Sequence, residues 1–205
     1  MKRSILTLLC LALLGASAFG ASAVMADDGG DDAGEHAAAP ATCTTSTTAS
    51  EDRMARAADD RGGTQGDDDQ KGSSGNDHFD ARGGNDQFEG DQGDDDACGD
   101  QGDDQLKGGA GNDSLSGGSG NDVLNGQSGD DNEQGDAGAD DVIGGSGNDV
   151  LSGGKGHDVI EGDGGNDHIN SRDGVKDKVN CGPGVDTVRA DRADKVAKNC
   201  EHVSR

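Results

Sequence analysis

Between Gly63 and Asn170 single apolar side chains recur every nine residues, a spacing that belongs neither to a helix face nor to a simple alternating strand. They are Phe79, Phe88, Ala97, Leu106, Leu115, Leu124, Val142, Leu151, Ile160 and Ile169, and only Gln70 and Glu133 interrupt the series. Each is the middle of a triplet such as Gln105-Leu106-Lys107. An outward, inward, outward triplet predicts a very short strand that buries one side chain. The six residues before each triplet read as a turn. Their fourth member is Gly in all twelve units, from Gly66 to Gly165, and their first is Gly in eleven, with Ala81 the exception. Glycine allows positive φ or close backbone approach, and the Asn or Asp common at the fifth position tolerates the left-handed conformation. The chain therefore reads as turn, strand, turn, strand at a fixed period, which predicts a solenoid.

The sixth position of every unit is aspartate: Asp68, Asp77, Asp86, Asp95, Asp104, Asp113, Asp122, Asp131, Asp140, Asp149, Asp158 and Asp167. The unit stands complete at Gly108 to Ser116 and at Gly117 to Asn125. It resembles the Gly-Gly-x-Gly-x-Asp-x-U-x nonapeptide of the RTX (hemolysin-type) calcium-binding family, U being a large apolar residue. The resemblance covers 108 of 205 residues. It implies an all-β fold, a parallel β-roll (β-solenoid) in which two nonapeptides make one coil. It also implies Ca²⁺ between successive turns, held by the twelve aspartates and by turn carbonyls. On that geometry Asp68, Asp86, Asp104, Asp122, Asp140 and Asp158 line one edge and the other six line the opposite edge, leaving at most ten gaps for calcium.

Composition makes the metal a physical need. The chain has 29% hydrophobic residues, three Phe, no Trp or Tyr, 38 Gly and a formal charge of -25. Such a chain buries too little apolar surface to offset its conformational entropy unless something else contributes. Stacked coils would also set edge carboxylates about 4.8 Å apart, where each pair repels by about 1 kcal/mol even at the dielectric constant of water. A divalent cation reverses that sign. Carboxylate and carbonyl oxygens in a repeating turn suit Ca²⁺ better than Mg²⁺, and Cys or His clusters of the kind zinc prefers are absent. The expectation is a chain that folds on binding calcium. A polyanion of this strength excludes nucleic acid and anionic lipid as partners.

The flanks differ from the repeat. Residues 1–26 read as a secretory signal: Lys2 and Arg3, an apolar run from Ile5 to Leu14 too short to span a bilayer, and small-residue sites ending at Ala23 and Ala26. Residues 27–62 are a low-complexity lead, 63–170 the roll, and 171–205 a cap in which eight Lys or Arg face six acids. In that cap Asp177-x-Val179, Asp186-x-Val188 and Asp194-x-Val196 echo the end of the nonapeptide, as degenerate coils closing the open end of a solenoid would. Beyond the signal the cysteines are Cys43, Cys98, Cys181 and Cys200, an even number that favours disulfides in an oxidising compartment. Cys181 and Cys200 are expected to pair across the cap. Cys43 and Cys98 are a further candidate pair, within or between chains. His36, His78, His157, His168 and His202 read as surface residues.

The function expected is a secreted, extracellular calcium-binding protein, monomeric and not an enzyme. Only 36 residues lie between the signal and the repeat and 35 follow it, which leaves no room for a catalytic domain. The alternative is a structural or adhesive surface or matrix protein stiffened by calcium.

Overall fold

The computed structural model describes residues 60–205. The expected signal, all but the last three residues of the lead, and Cys43 lie outside them. Among the described residues there are eighteen strands and no helix. The strands form two parallel sheets, one of ten strands and one of eight, and consecutive strands mostly alternate between them. The fold is an all-β parallel β-solenoid of about eight coils.

One coil is two nonapeptides. In the eight-stranded sheet Phe88 pairs with Leu106, Leu106 with Leu124, Leu124 with Val142 and Val142 with Ile160. In the other sheet the column is Phe79, Ala97, Leu115, Glu133, Leu151 and Ile169. Both columns point into the narrow space between the sheets, and the apolar members are at most 4% exposed. The Phe79 and Phe88 rings stack at 5.4 Å between centroids. The core is divided. Phe79 to Leu124 form one apolar cluster, and Val142 to Cys200 form a second. Glu133, 1% exposed, occupies the inward position between them.

Two features go beyond the sequence expectation. Several strands are six residues long, among them Gln87–Gln92, Gln105–Ala110, Val123–Ser128 and Asp141–Ser146, so they run on into the first three positions of the next unit. Pairing skips the first position, going from Lys107↔Asn125 to Gly109↔Gln127. That first glycine lies under a carboxylate: a Cβ on Gly108 would stand 2.1 Å from Asp113 Oδ2.

The sheets also extend past the nonapeptides at both ends. Asp60–Gly62 pairs with His78–Asp80. Beyond Asn170 the strands Lys178–Asn180, Thr187–Ala190, Lys195–Val196 and His202–Ser204 continue the stacking. Val179 and Val188 fill the inward columns. A disulfide joins Cys181 to Cys200, with Cα atoms 5.3 Å apart, and ties the closing coils together. Cys98 is also disulfide-bonded, and its partner lies outside the described residues.

Candidate metal centre

Each sixth-position aspartate ends a turn immediately before a strand, so the solenoid stacks these residues at its two edges. Asp68, Asp86, Asp104, Asp122, Asp140 and Asp158 form one column, and Asp77, Asp95, Asp113, Asp131, Asp149 and Asp167 the other. Within a column each backbone N–H donates to Oδ1 of the aspartate one coil later: Asp86 to Asp104 at 2.8 Å, Asp104 to Asp122 at 2.8 Å, Asp95 to Asp113 at 2.8 Å and Asp131 to Asp149 at 2.9 Å. One oxygen of each side chain is therefore committed to the fold.

The second oxygen is not. Oδ2 of twelve aspartates, from Asp86 to Asp167 and then Asp177 and Asp186, is buried and accepts no hydrogen bond. Buried anionic oxygens without a partner are costly unless a proton or a cation neutralises them. Burial pushes the carboxyls of the nonapeptide aspartates from Asp86 to Asp167, and that of Asp177, upward, against the lowering effect of the bonded N–H and together with the repulsion of neighbouring acids. Asp104, Asp131 and Asp140 are raised to about 7, and Asp95, Asp122 and Asp167 to about 6. The ends of the columns differ. Thr64 N donates to Asp68 Oδ2 at 2.7 Å, and Ser73 N donates to Asp77 Oδ2 at 2.6 Å. The first aspartate of each column is thus satisfied by its own turn, while every later one in the nonapeptides keeps an open oxygen.

The turns bring main-chain oxygens close by. The fourth-position glycines stack so tightly that a Cβ on Gly102, at φ +133°, would lie 1.5 Å from the Gly84 carbonyl oxygen. Fifth-position side chains form an outer ladder of opposite sense: Asp103 N donates to Asn85 Oδ1 at 2.9 Å, and Asn121 N to Asp103 Oδ1 at 2.7 Å. Each turn is held from the coil before it and from the coil after it.

Both columns run past the residues expected from the repeat. Asp158 N donates to Asp177 Oδ1 and Asp167 N to Asp186 Oδ1, each at 2.9 Å, and Asp177 N donates to Asp194 Oδ1 at 3.2 Å. The signal for these residues was the Asp-x-Val echo. It was obscured because Ile160↔Val179 and Ile169↔Val188 span nineteen residues where the repeat spans eighteen. Asp194 ends its column as Asp68 begins it, with Oδ2 accepting from Asp191 N at 2.6 Å and Ser171 Oγ at 2.9 Å. His157, His168 and His202 are exposed and His78 half-buried on the outer face, apart from the columns.

Among the described residues no three Asp, Glu, His or Cys side chains converge on a single point. The donor set is instead one open carboxylate oxygen per turn, repeated along each edge beside turn carbonyls. Hard oxygen donors of this kind fit calcium, which accepts irregular sets of carboxylate and carbonyl ligands.

A parallel β-solenoid with two edge columns of half-satisfied aspartates defines a repeat protein whose chemistry lies in its turns. The model of the RTX calcium-binding nonapeptide repeat (4 copies) matches residues 62–97, 99–133 and 134–169, and the chain belongs to that family. Its repeats imply calcium binding in a β-roll. No curated protein matches the chain. Among the described residues no helix is long and apolar enough to cross a membrane.

Proposed function

We propose that this protein is a secreted, non-enzymatic calcium-binding module that requires Ca²⁺ to fold. The observation that carries the reading is the set of buried, unpartnered Oδ2 atoms, one per turn along both edges. Asp86 to Asp167, ten of the twelve nonapeptide aspartates, would hold the metal together with turn carbonyls, and Asp177 and Asp186 extend the same set. Asp68 and Asp77 would contribute more weakly, since Thr64 and Ser73 already occupy their second oxygens. Calcium between successive turns would supply the positive charge that stacked carboxylates lack. The residues themselves fix the geometry: Oδ1 is held by an N–H, so Oδ2 is presented from a preset side chain rather than a mobile one. The thin, divided apolar core supports a folding requirement for metal. Secretion is supported by the signal-like residues 1–26 and by the Cys181–Cys200 disulfide.

The test is a calcium titration of the oxidised protein followed by far-ultraviolet circular dichroism, with magnesium as control. A cooperative gain of β signal with calcium alone is expected. A spectrum that calcium leaves unchanged overturns the folding requirement.

A further inference from the structure

The closing coils carry more positive charge at their surface than their composition suggests. Residues 171–205 hold eight Lys or Arg and six acids, against four and twenty-seven between Gly63 and Asn170. All eight bases are exposed, whereas five of the six acids are buried or half-buried. The fold uses those acids internally. Asp173 Oδ1 accepts from Val175 N at 2.6 Å, Asp191 Oδ2 from Gly174 N at 2.6 Å, Asp194 Oδ2 from Ser171 Oγ at 2.9 Å, and the exposed Glu201 accepts through Oε2 from Asp186 N at 3.0 Å. Lys178 meets Glu161 at 3.9 Å, and among the described residues Lys176, Lys195 and Lys198 pair with no acid.

One outward column shows the change of sign. On the eight-stranded sheet Asp69, Gln87, Gln105, Val123, Asp141 and Val159 succeed one another, and the next two members are Lys178 and Lys195. Like charges side by side at a strand spacing of about 4.8 Å repel unless an anion lies across them. On the other sheet Arg189 is exposed in Thr187–Ala190, and Arg172, Arg192 and Lys198 occupy the connecting turns. The bases thus ring the closing coils instead of lying in one plane. Acids of distant coils do not cancel their field, because the screening length of about 8 Å at physiological ionic strength is shorter than two coils of about 4.8 Å each.

We propose that the closing coils are a docking surface for an acidic polysaccharide, held through its carboxylate or sulfate groups. The surface lies outside the open oxygens of the two columns and adds a second kind of binding to the calcium reading. A ring of charge suits a flexible chain that wraps the end of the roll. A flat anionic membrane would meet one side of the ring and press its own charge against the acidic coils beside it. Single-stranded nucleic acid is flexible too, but its binding sites add aromatic platforms on which bases stack. Residues 171–205 contain no Phe, Trp or Tyr, so they offer charge without stacking.

The experiment titrates the full oxidised chain in saturating calcium into fluorescein-labelled dextran sulfate and follows anisotropy, with neutral dextran, single-stranded DNA and phosphatidylglycerol vesicles as comparisons. Circular dichroism checks the fold of every variant. Dextran sulfate is expected to bind, neutral dextran not to bind, and the affinity to fall as salt is raised. Replacing Lys176, Lys178, Lys195 and Lys198 together by Gln is expected to weaken binding by about tenfold or more. The smaller K178Q/K195Q pair carries the test should the fourfold variant fold poorly. Replacing Lys71 and Lys107 of the roll by Gln is expected to change nothing. Wild-type affinity in the cap variants, or an equal loss in the roll variant, overturns the docking surface. Equal or tighter binding of the DNA or of the vesicles overturns the assignment to a polysaccharide. A chain that gains no β signal in calcium overturns the folding requirement proposed above, a readout separate from polymer binding.

Discussion

A column aspartate has two tasks that its two oxygens divide. Asp122 accepts from Asp104 N at 2.8 Å through Oδ1, while its Oδ2 is buried and open. Substitutions should separate the tasks. Asp122→Asn retains an acceptor for the Asp104 amide but removes the charge. It is expected to raise the stability of the calcium-free roll and to lower calcium affinity at the adjoining gaps by about tenfold. Asp122→Ala removes the acceptor too and leaves a buried N–H unpaired, at a cost of about 1–3 kcal/mol with or without metal. Calcium titration, with thermal unfolding at saturating calcium, run on both variants, distinguishes them: wild-type calcium affinity in Asp122→Asn would show that the charge has no role. The twelve aspartates were legible because identity and spacing repeat without exception. That the first in each column is already satisfied was not legible, because Thr64 and Ser73 are ordinary residues at a variable part of the turn and only the fold aims their amides at a carboxylate.

The turn and the short strand followed from the nonapeptide, yet the element is longer than its apolar triplet. At the second position Arg82, Asp91, Asp100, Gln127, Asp136 and Asp163 take φ of 63° to 76°, and at Asp91, Gln127, Asp136 and Asp163 the strand runs on through it. Six non-glycine residues in that region could not be foreseen from residue type, since none favours it strongly enough. Stacking on the neighbouring coil imposes the conformation, and glycine at the same position, as at Gly109 and Gly118, adopts positive φ without a Cβ. The cap was legible in outline through its Asp-x-Val echoes, but a changed spacing hid its continuation of both columns. Its disulfide spans nineteen residues, Cys181 to Cys200. Replacing both cysteines by serine is expected to lower stability by about 3 kcal/mol in calcium. Chemical denaturation reads the loss, and an unchanged midpoint would show that backbone pairing alone secures the closing coils.

Across the whole molecule the dominant fact is accumulated acid. With calcium absent, burial raises Asp104, Asp131 and Asp140 to about 7 and Asp95, Asp122, Asp167 and Asp177 to about 6. Carboxyls raised in the folded state bind protons more tightly there than in the unfolded chain. The stability they lend is therefore fully present below the ordinary carboxylate range near 4 and is lost as pH rises through 6 to 7. The calcium-free chain is expected to show more β signal by circular dichroism at pH 5 than at pH 8. Calcium should bind more weakly at pH 6 than at pH 8, releasing protons as it does so. A calcium-free spectrum that becomes more β-rich with rising pH would contradict this assignment.

The alternation of strands between two sheets also governs which changes in length the molecule can absorb. Removing eighteen residues, such as Gly108 to Asn125, excises one full coil and leaves every downstream side chain on its own edge. Removing nine transfers everything downstream to the opposite sheet, so that Leu124 would have to stack in the column of Phe79 and Ala97. Both columns are built from the same parts, and the transfer is chemically mild except at Glu133, whose neighbours it would replace. Growth by duplication is thus nearly unconstrained in step number, and the protein behaves as a ruler graduated in coils of about 4.8 Å, with its closing cap as the fixed end.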